Sequence, residues 1–304
     1  MLAIETRGLG RSFDGRVAVE GLDLEVRAGE VLGFLGPNGA GKTTTIRMLA
    51  GLISPTSGSA TVCGVDVVAR PDEVRRQIGL LTETPGLYER LSVWRNLVLF
   101  AELYGTDDPA GRVERWLKRM SLWERREDPA GSLSKGMRQK VALCRALLHD
   151  PAVVFLDEPT SALDPEAAGT VRSIVSELRD SGRTVFLTTH QMEEADRLCD
   201  RIAVFRRTLK VLDTAESLRH MLFGRQLTVA LVEATEAHLA IATGVDGVEE
   251  GLREGDRLVL RVDDPDRTAP AVVRALVLAG ADVRRVGEVR QPLERVYLEL
   301  VGAA

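Results

Sequence analysis

Short apolar runs alternate with stretches of helical period from the start of the chain to about residue 211. Three runs stand out, at residues 30–35, 152–156 and 184–188. Each is short, mostly apolar and followed by polar or glycine-rich residues, the pattern of a parallel strand covered on both faces with a site at its carboxyl end. The expected class is α/β around a largely parallel sheet. Between about residues 85 and 150 the period becomes helical. Leu97, Phe100, Ala101 and Tyr104 share one helical face, and Val113, Trp116, Leu117 and Met120 share another, so an inserted helical subdomain is expected.

After about residue 215 the texture changes. The pattern predicts a strand at 226–233, a helix at 234–243 and a hairpin of 248–253 and 256–262 turning at Glu254-Gly255. A helix at 268–279, a strand at 282–289 and a closing helix at 292–301 follow. The order β-α-β-β-α-β is the ferredoxin-like α+β arrangement. Two domains are therefore expected, residues 1–215 and 216–304, and a length of 304 residues accommodates both.

No apolar run approaches the roughly 18 residues of a membrane span. The opening Met1-Leu2-Ala3-Ile4-Glu5-Thr6-Arg7 lacks the charged start and apolar core of a secretory signal. These features predict a cytoplasmic chain that does not itself cross a bilayer. Cys63, Cys144 and Cys199 are scattered and form no C-x-x-C pair, so buried inert thiols are expected ahead of a disulfide or zinc site. The net charge is −5, and the part after residue 215 has 11 basic against 15 acidic side chains. Neither part is basic, which argues against a nucleic-acid partner. Only five of the 40 basic residues are lysines, so the placement of each lysine is informative.

One of the five is Lys42. Gly36-Pro37-Asn38-Gly39-Ala40-Gly41-Lys42-Thr43 matches G-x-x-x-x-G-K-[ST] directly after the strand predicted at 30–35, and Thr44 continues it. Ile46, Leu49 and Ala50 then share a helical face, and Gly51 can end the helix. In this context the glycines turn backbone N–H groups towards phosphates, and the helix N-terminus adds its dipole. Lys42 supplies a point charge to the β- and γ-phosphates, and the Thr43 hydroxyl can reach Mg²⁺.

The run 152–156 ends in Asp157-Glu158-Pro159. In a P-loop ATPase an Asp at such a strand end holds Mg²⁺, and an adjacent Glu can polarise the water that attacks the γ-phosphate.

With these residues in view, the sequence resembles the ATP-binding subunits of ABC transporters. Leu133-Ser134-Lys135-Gly136-Met137-Arg138-Gln139 looks like that family's signature, L-S-G-G-Q. Ser161-Ala162-Leu163-Asp164 looks like its D-loop, and His190, after the run 184–188, holds the switch-histidine position. The resemblance covers about residues 2–215. It implies a P-loop ATPase domain with an inserted helical signature subdomain, ATP and Mg²⁺ as cofactors, and a composite site made by two facing domains. Ser134, Gly136 and Asp164 of one domain would contact the nucleotide held by the other's P-loop. Glu158 and His190 would be catalytic.

Three departures from the family pattern matter. Phe13 stands where a tyrosine usually stacks on adenine, keeping the aromatic face without the hydroxyl. Glu83 replaces the Q-loop glutamine; it can still act in catalysis and ligate Mg²⁺ beside Thr43 and Asp157. Its repulsion with a phosphate at about 4 Å is about 4 kcal/mol unless a cation offsets it. Lys135 and Met137 replace Gly and Gln in the signature. Together these changes resemble the exporter branch that includes bacterial drug-resistance ATPases, whose members often end like Pro292-Leu293-Glu294-Arg295-Val296-Tyr297-Leu298-Glu299-Leu300.

The resemblance further implies a second copy or paralogue as dimer partner, multi-span membrane permease subunits, and a position on the inner face of the cell membrane. A groove near Glu83 and residues 84–96 would receive a coupling helix from the permease. An importer ATPase is the near alternative; a soluble factor acting on ribosomes or DNA is the distant one, without the paired cassettes or basic face it usually carries. For the C-terminal part, a dimerisation prop or passive lid stands ahead of a ligand-sensing role.

Overall fold

In the computed structural model, which describes residues 1–161, 163–289 and 291–302, the three apolar runs are neighbouring strands of one sheet. Along the chain, β1 (Leu2–Phe13) and β2 (Arg16–Arg27) form a hairpin, β3 (Val31–Leu35) leads to α1 (Lys42–Leu49), and β4 (Ser57–Val62) meets β5 (Val65–Asp66). Helix α2 (Pro71–Gln77) and β6 (Ile78–Leu81) precede α3 (Val93–Leu103), α4 (Pro109–Arg119) and α5 (Lys135–Leu147). Then come β7 (Val153–Asp157), α6 (Pro165–Asp180), β8 (Thr184–Thr189), α7 (Met192–Leu198), β9 (Arg201–Arg206) and β10 (Thr208–Asp213). These elements make up the first of two units, Met1–Asp213.

The six-stranded sheet runs β10-β9-β3-β8-β7-β6, parallel throughout except for the antiparallel edge β10. Its side chains alternate between two buried faces, as the pleat requires. Leu32, Phe34, Phe155, Phe186 and Phe205 enter one core with α1 and the hairpin β1–β2, whereas Val31, Val154, Leu156, Val185 and Leu187 enter the other with α3 to α7. Phe34 lies between Phe205 and Phe186, with ring centroids 4.6 and 5.1 Å away, and Phe155 continues the row 5.6 Å from Phe186. Each ring is fully buried and removes a large apolar surface from water.

The largely parallel sheet is as expected, and the unit holds one more sheet that the pattern did not mark. A second, antiparallel sheet runs β2-β1-β4-β5. Its strands have one face towards solvent, so Glu5, Arg7, Glu25 and Arg27 interrupt the apolar positions and no continuous run marks them.

Between residues 85 and 150 the helical period matches the structure. Leu97 and Ala101 of α3 and Val113 and Leu117 of α4 are fully buried, with α5 packed on both helices. Asn96, also fully buried, ties down the segment before it. Its Nδ2 donates to the carbonyls of Tyr88, Leu91 and Ser92 at 3.0, 3.2 and 3.0 Å, and its Oδ1 accepts from Tyr88 N at 2.9 Å. Truncation would leave several buried backbone groups unsatisfied. Asn96→Ala is therefore expected to lower stability by about 2 kcal/mol or more, read from the denaturation midpoint in urea.

The second unit spans Thr214–Ala304. It contains α8 (Ala215–Phe223), β11 (Arg225–Leu231), α9 (Glu236–Thr243), β12 (Val248–Glu254), β13 (Arg257–Val262), α10 (Pro265–Leu278), β14 (Val283–Glu288) and α11 (Leu293–Gly302). The sheet order is β12-β13-β11-β14 with every neighbouring pair antiparallel, which is the ferredoxin-like order. Leu227, Val229, Leu258, Leu260, Val272 and Leu276 form its core. Helix α10 begins three residues before its predicted start, because Asp264 caps it by accepting from Asp266 N and Arg267 N, with Pro265 at its first position. Helix α8, which the pattern did not predict, starts at the Thr214 cap.

Candidate functional site

Strands β3, β7 and β8 are adjacent and end at the same edge, and the candidate residues collect there. The loop 36–41 joins β3 to α1, with Gly39 and Gly41 at φ of +78° and +105°. A Cβ on Gly36 would lie 2.3 Å from the Phe205 carbonyl, and one on Gly41 2.3 Å from the Ala18 carbonyl. Only glycine fits these two positions, and the result is a tight loop of backbone N–H groups at a helix start. A cleft of about 320 Å³ opens over it, lined by residues 37–44 together with Ala18, Glu83, Glu158, Ser161 and His190.

Lys42 is buried beneath the loop. Its ammonium donates to the carbonyls of Gly36 and Pro37 at 2.8 and 3.3 Å and pairs with Glu158 Oε1 at 3.2 Å. Glu158 is held on its other oxygen, where His190 Nδ1 lies 2.8 Å from Oε2. Thr43 donates its hydroxyl to Asp157 Oδ2 at 2.8 Å, and Thr188 donates to Asp157 Oδ1 at 2.6 Å. The register of β7 on β8 puts Asp157 opposite Thr188, which explains that second bond.

The sequence-predicted residues divide into two groups. Asn38, Gly39, Ala40, Gly41, Lys42, Thr43, Thr44, Glu83, Glu158 and His190 surround the cleft, with Gly36 and Asp157 directly behind them. Ser134, Gly136 and Asp164 do not line it. Ser134 caps α5 by accepting from Met137 N, and Asp164 caps α6 by accepting from Ala167 N; both are exposed. A Cβ on Gly136 would lie 3.8 Å from Asp164 Oδ2, so the signature and D-loop segments adjoin on one surface. Ala162 of the D-loop lies outside the described residues. Phe13 also stands off the cleft, half-exposed at the hairpin tip with the Arg11 guanidinium 4.6 Å above its ring.

Sequence reasoning missed Thr188 and Ala18, and it placed Ser161 in the D-loop without assigning it to the cleft that it lines. Thr188 had a visible signal, because Thr188-Thr189 ends an otherwise apolar buried strand. Ala18 had none, since it enters the site through the approach of the antiparallel hairpin to the loop.

The donor set fits a nucleotide and its cation. The glycine cradle presents N–H donors to phosphates. A hydroxyl and a carboxylate side by side are the hard oxygen ligands that Mg²⁺ takes. Glu158 Oε1 is buried without a hydrogen bond among the described residues and has the Lys42 charge 3.2 Å away.

Fold and site together define a P-loop ATPase. The ABC transporter family model matches residues 19–161. The daunorubicin resistance ATP-binding protein DrrA3 of Streptomyces coeruleorubidus is 38% identical over 309 residues, covering 99% of this chain and 96% of that protein. The Nod factor export ATP-binding protein I of Cupriavidus metallidurans is 38% identical over 232 residues, 76% of each chain. A solved ATP-binding subunit of an ABC transporter, 31% identical, superposes with a TM-score of 0.68 over 73% of this chain and 94% of its own. The chain therefore belongs to the ABC transporter family, as one of its ATP-hydrolysing, ATP-binding subunits.

Proposed function

We propose that this chain is the ATP-hydrolysing subunit of an export complex, working as a dimer beneath separate membrane subunits. The observation that carries the export reading is the likeness to the daunorubicin resistance protein, which extends over 99% of the chain and so includes the C-terminal unit. The Nod factor export protein supports the same direction over import. Among the described residues no helix is long and apolar enough to cross a membrane, so a transport pathway must come from partners.

The residues act as follows. The loop 36–43 binds the phosphates through backbone N–H groups, and Lys42 adds its charge to the β- and γ-phosphates. Thr43 and Asp157 would hold Mg²⁺, with Glu83 facing the same cleft; the cation would neutralise charge that develops on the phosphates. A γ-phosphate competes with Glu158 for Lys42, because both are anions within reach of one ammonium. Released from that pair, Glu158 accepts a proton from the attacking water while His190 keeps its carboxylate oriented. Ser134 and Asp164 are exposed, Gly136 is half-buried beside them, and all three lie away from the chain's own cleft, which suits residues that complete the site of a facing copy. Helix α5 then points its N-terminus at that copy's γ-phosphate.

The region receiving the membrane partner is the segment between Glu83 and Asn96. Arg145 of α5 fixes its start by donating to the carbonyls of Pro85 and Gly86 at 2.9 and 2.7 Å. Asn96 is inside and pins the segment, whereas Tyr88 is half-exposed and available for contact. The complex would lie on the inner face of the cell membrane. Affinity purification of the tagged chain from detergent-solubilised membranes is expected to recover a multi-span membrane protein of about six helices. Sedimentation with ribosomes and never with membranes would establish the soluble-factor reading in its place.

A further inference from the structure

The turn that carries the chain from Glu158 into residues 161–164 is clamped by side chains that the phosphate-binding reading does not use. Glu158 leaves β7 with φ of +50°, a conformation that non-glycine residues seldom adopt, and pairing of β7 with β8 ends one residue earlier at Asp157. Two residues on, Thr160 is buried and donates its hydroxyl to Glu194 Oε2 at 2.8 Å. Glu194 is buried as well and lies on α7, four residues beyond His190. His190 in turn touches Glu158 at 2.8 Å. Residues 158–160 and 190–194 are thus joined at both ends, Glu158 to His190 and Thr160 to Glu194.

What lies downstream depends on the same clamp. Ser161 N donates to the Glu158 carbonyl at 3.1 Å and Leu163 N to the Thr160 carbonyl at 3.2 Å, and Asp164 then caps α6. Displacement of Thr160 therefore moves both the Glu158 carboxylate and the surface that carries Asp164. A carboxyl this deeply buried is costly unless it is hydrogen-bonded. Burial pushes the Glu194 carboxyl up from its ordinary value, and the Thr160 hydroxyl opposes that shift. The core alone would be served by an apolar residue here, so the acid needs another reason.

We propose that Thr160 and Glu194 are positioning residues for ATP hydrolysis: their hydrogen bond locks the turn after Glu158 to the helix after His190, so that the carboxylate and residues 161–164 keep one spacing. The inference rests on Glu158 as the base. Misplacement of a reacting group by about 1 Å can cost on the order of 100-fold in rate, and loss of one of several restraints costs less.

The test uses steady-state hydrolysis by the full chain. Thr160→Val, which keeps the shape and loses the hydroxyl, is expected to lower kcat per folded molecule about 10-fold with KM for ATP within about twofold, and to lower Tm by a few degrees because buried Glu194 loses a hydrogen bond. Thr160→Ser recovers the rate to within about threefold, because the donor returns. The double variant Thr160→Val with Glu194→Leu loses little beyond the worse single variant, since the two act as a unit. A wild-type kcat in Thr160→Val, a kcat that falls only with the folded fraction, or strictly additive losses in the double variant would overturn the proposal. If Thr160→Val does not fold, Glu194→Leu, which removes the acceptor, carries the same reading: a several-fold fall in kcat per folded molecule at constant KM supports the lock, and a wild-type rate refutes it. Glu158→Gln runs alongside. Normal turnover in that variant removes the base assignment, whereas its inactivity beside a fully active Thr160→Val removes only the lock.

Discussion

Glu158→Gln is expected to lower ATP hydrolysis on the order of 100-fold or more while nucleotide binding persists. The substitution keeps the size of a side chain that is only 10% exposed, so packing around it changes little. What it removes is a carboxylate lying between Lys42 Nζ at 3.2 Å and His190 Nδ1 at 2.8 Å, the group proposed to take the proton from water. An amide cannot accept that proton. Binding survives because the phosphate cradle is backbone and Lys42, and both are intact. Affinity for ATP should even rise, since the γ-phosphate no longer competes with an anion for the ammonium, and ATP-bound dimers should accumulate. Phosphate release measured beside fluorescent-nucleotide binding decides the matter: turnover near the unmodified rate would take Glu158 out of the base role.

The part of the site that could be read beforehand is the part built by consecutive residues. The loop 36–43, the acid pair Asp157-Glu158 and the His190 position each depend on a strand end followed by a turn, and a strand end is visible as the stop of an apolar run. The same logic found β3, β7 and β8 to within a residue or two, because their burial on both faces leaves no polar interruption. What could not be read depends on two segments meeting. Thr188 beside Asp157 requires the register of two strands separated by α6, and Ala18 over Gly41 requires the antiparallel hairpin to fold onto the parallel sheet. The hairpin itself hid behind Glu5, Arg7, Glu25 and Arg27, which face solvent and break its apolar pattern. Phe13 shows the converse limit. Its aromatic type is legible in the sequence, whereas the place of its ring at the hairpin tip beside Arg11, outside the phosphate cleft, is set by the pairing of β1 with β2.

Lys42→Ala is expected to abolish ATP-dependent turnover and to weaken nucleotide binding beyond measurement, and in addition to destabilise the chain without added nucleotide. The first effect follows from the removal of the single cation of the phosphate loop. The second follows from its partners. Lys42 is 6% exposed, satisfies the Gly36 and Pro37 carbonyls, and faces a Glu158 oxygen that has no hydrogen bond among the described residues. Removing one member of a buried ion pair costs about 3 kcal/mol or more, because the other charge stays behind without compensation. His190 still contacts the remaining oxygen, which places the expected loss at the lower end of that range and amounts to several degrees in Tm. The double variant Lys42→Ala with Glu158→Gln separates the two effects. With the stranded charge neutralised, Tm without nucleotide should return most of the way to that of the unmodified protein, while binding stays lost because the phosphate contact is still missing. Equal Tm values for Lys42→Ala and the unmodified protein would mean that the Lys42–Glu158 pair contributes nothing to the fold, and retained turnover would remove the loop from phosphate binding altogether.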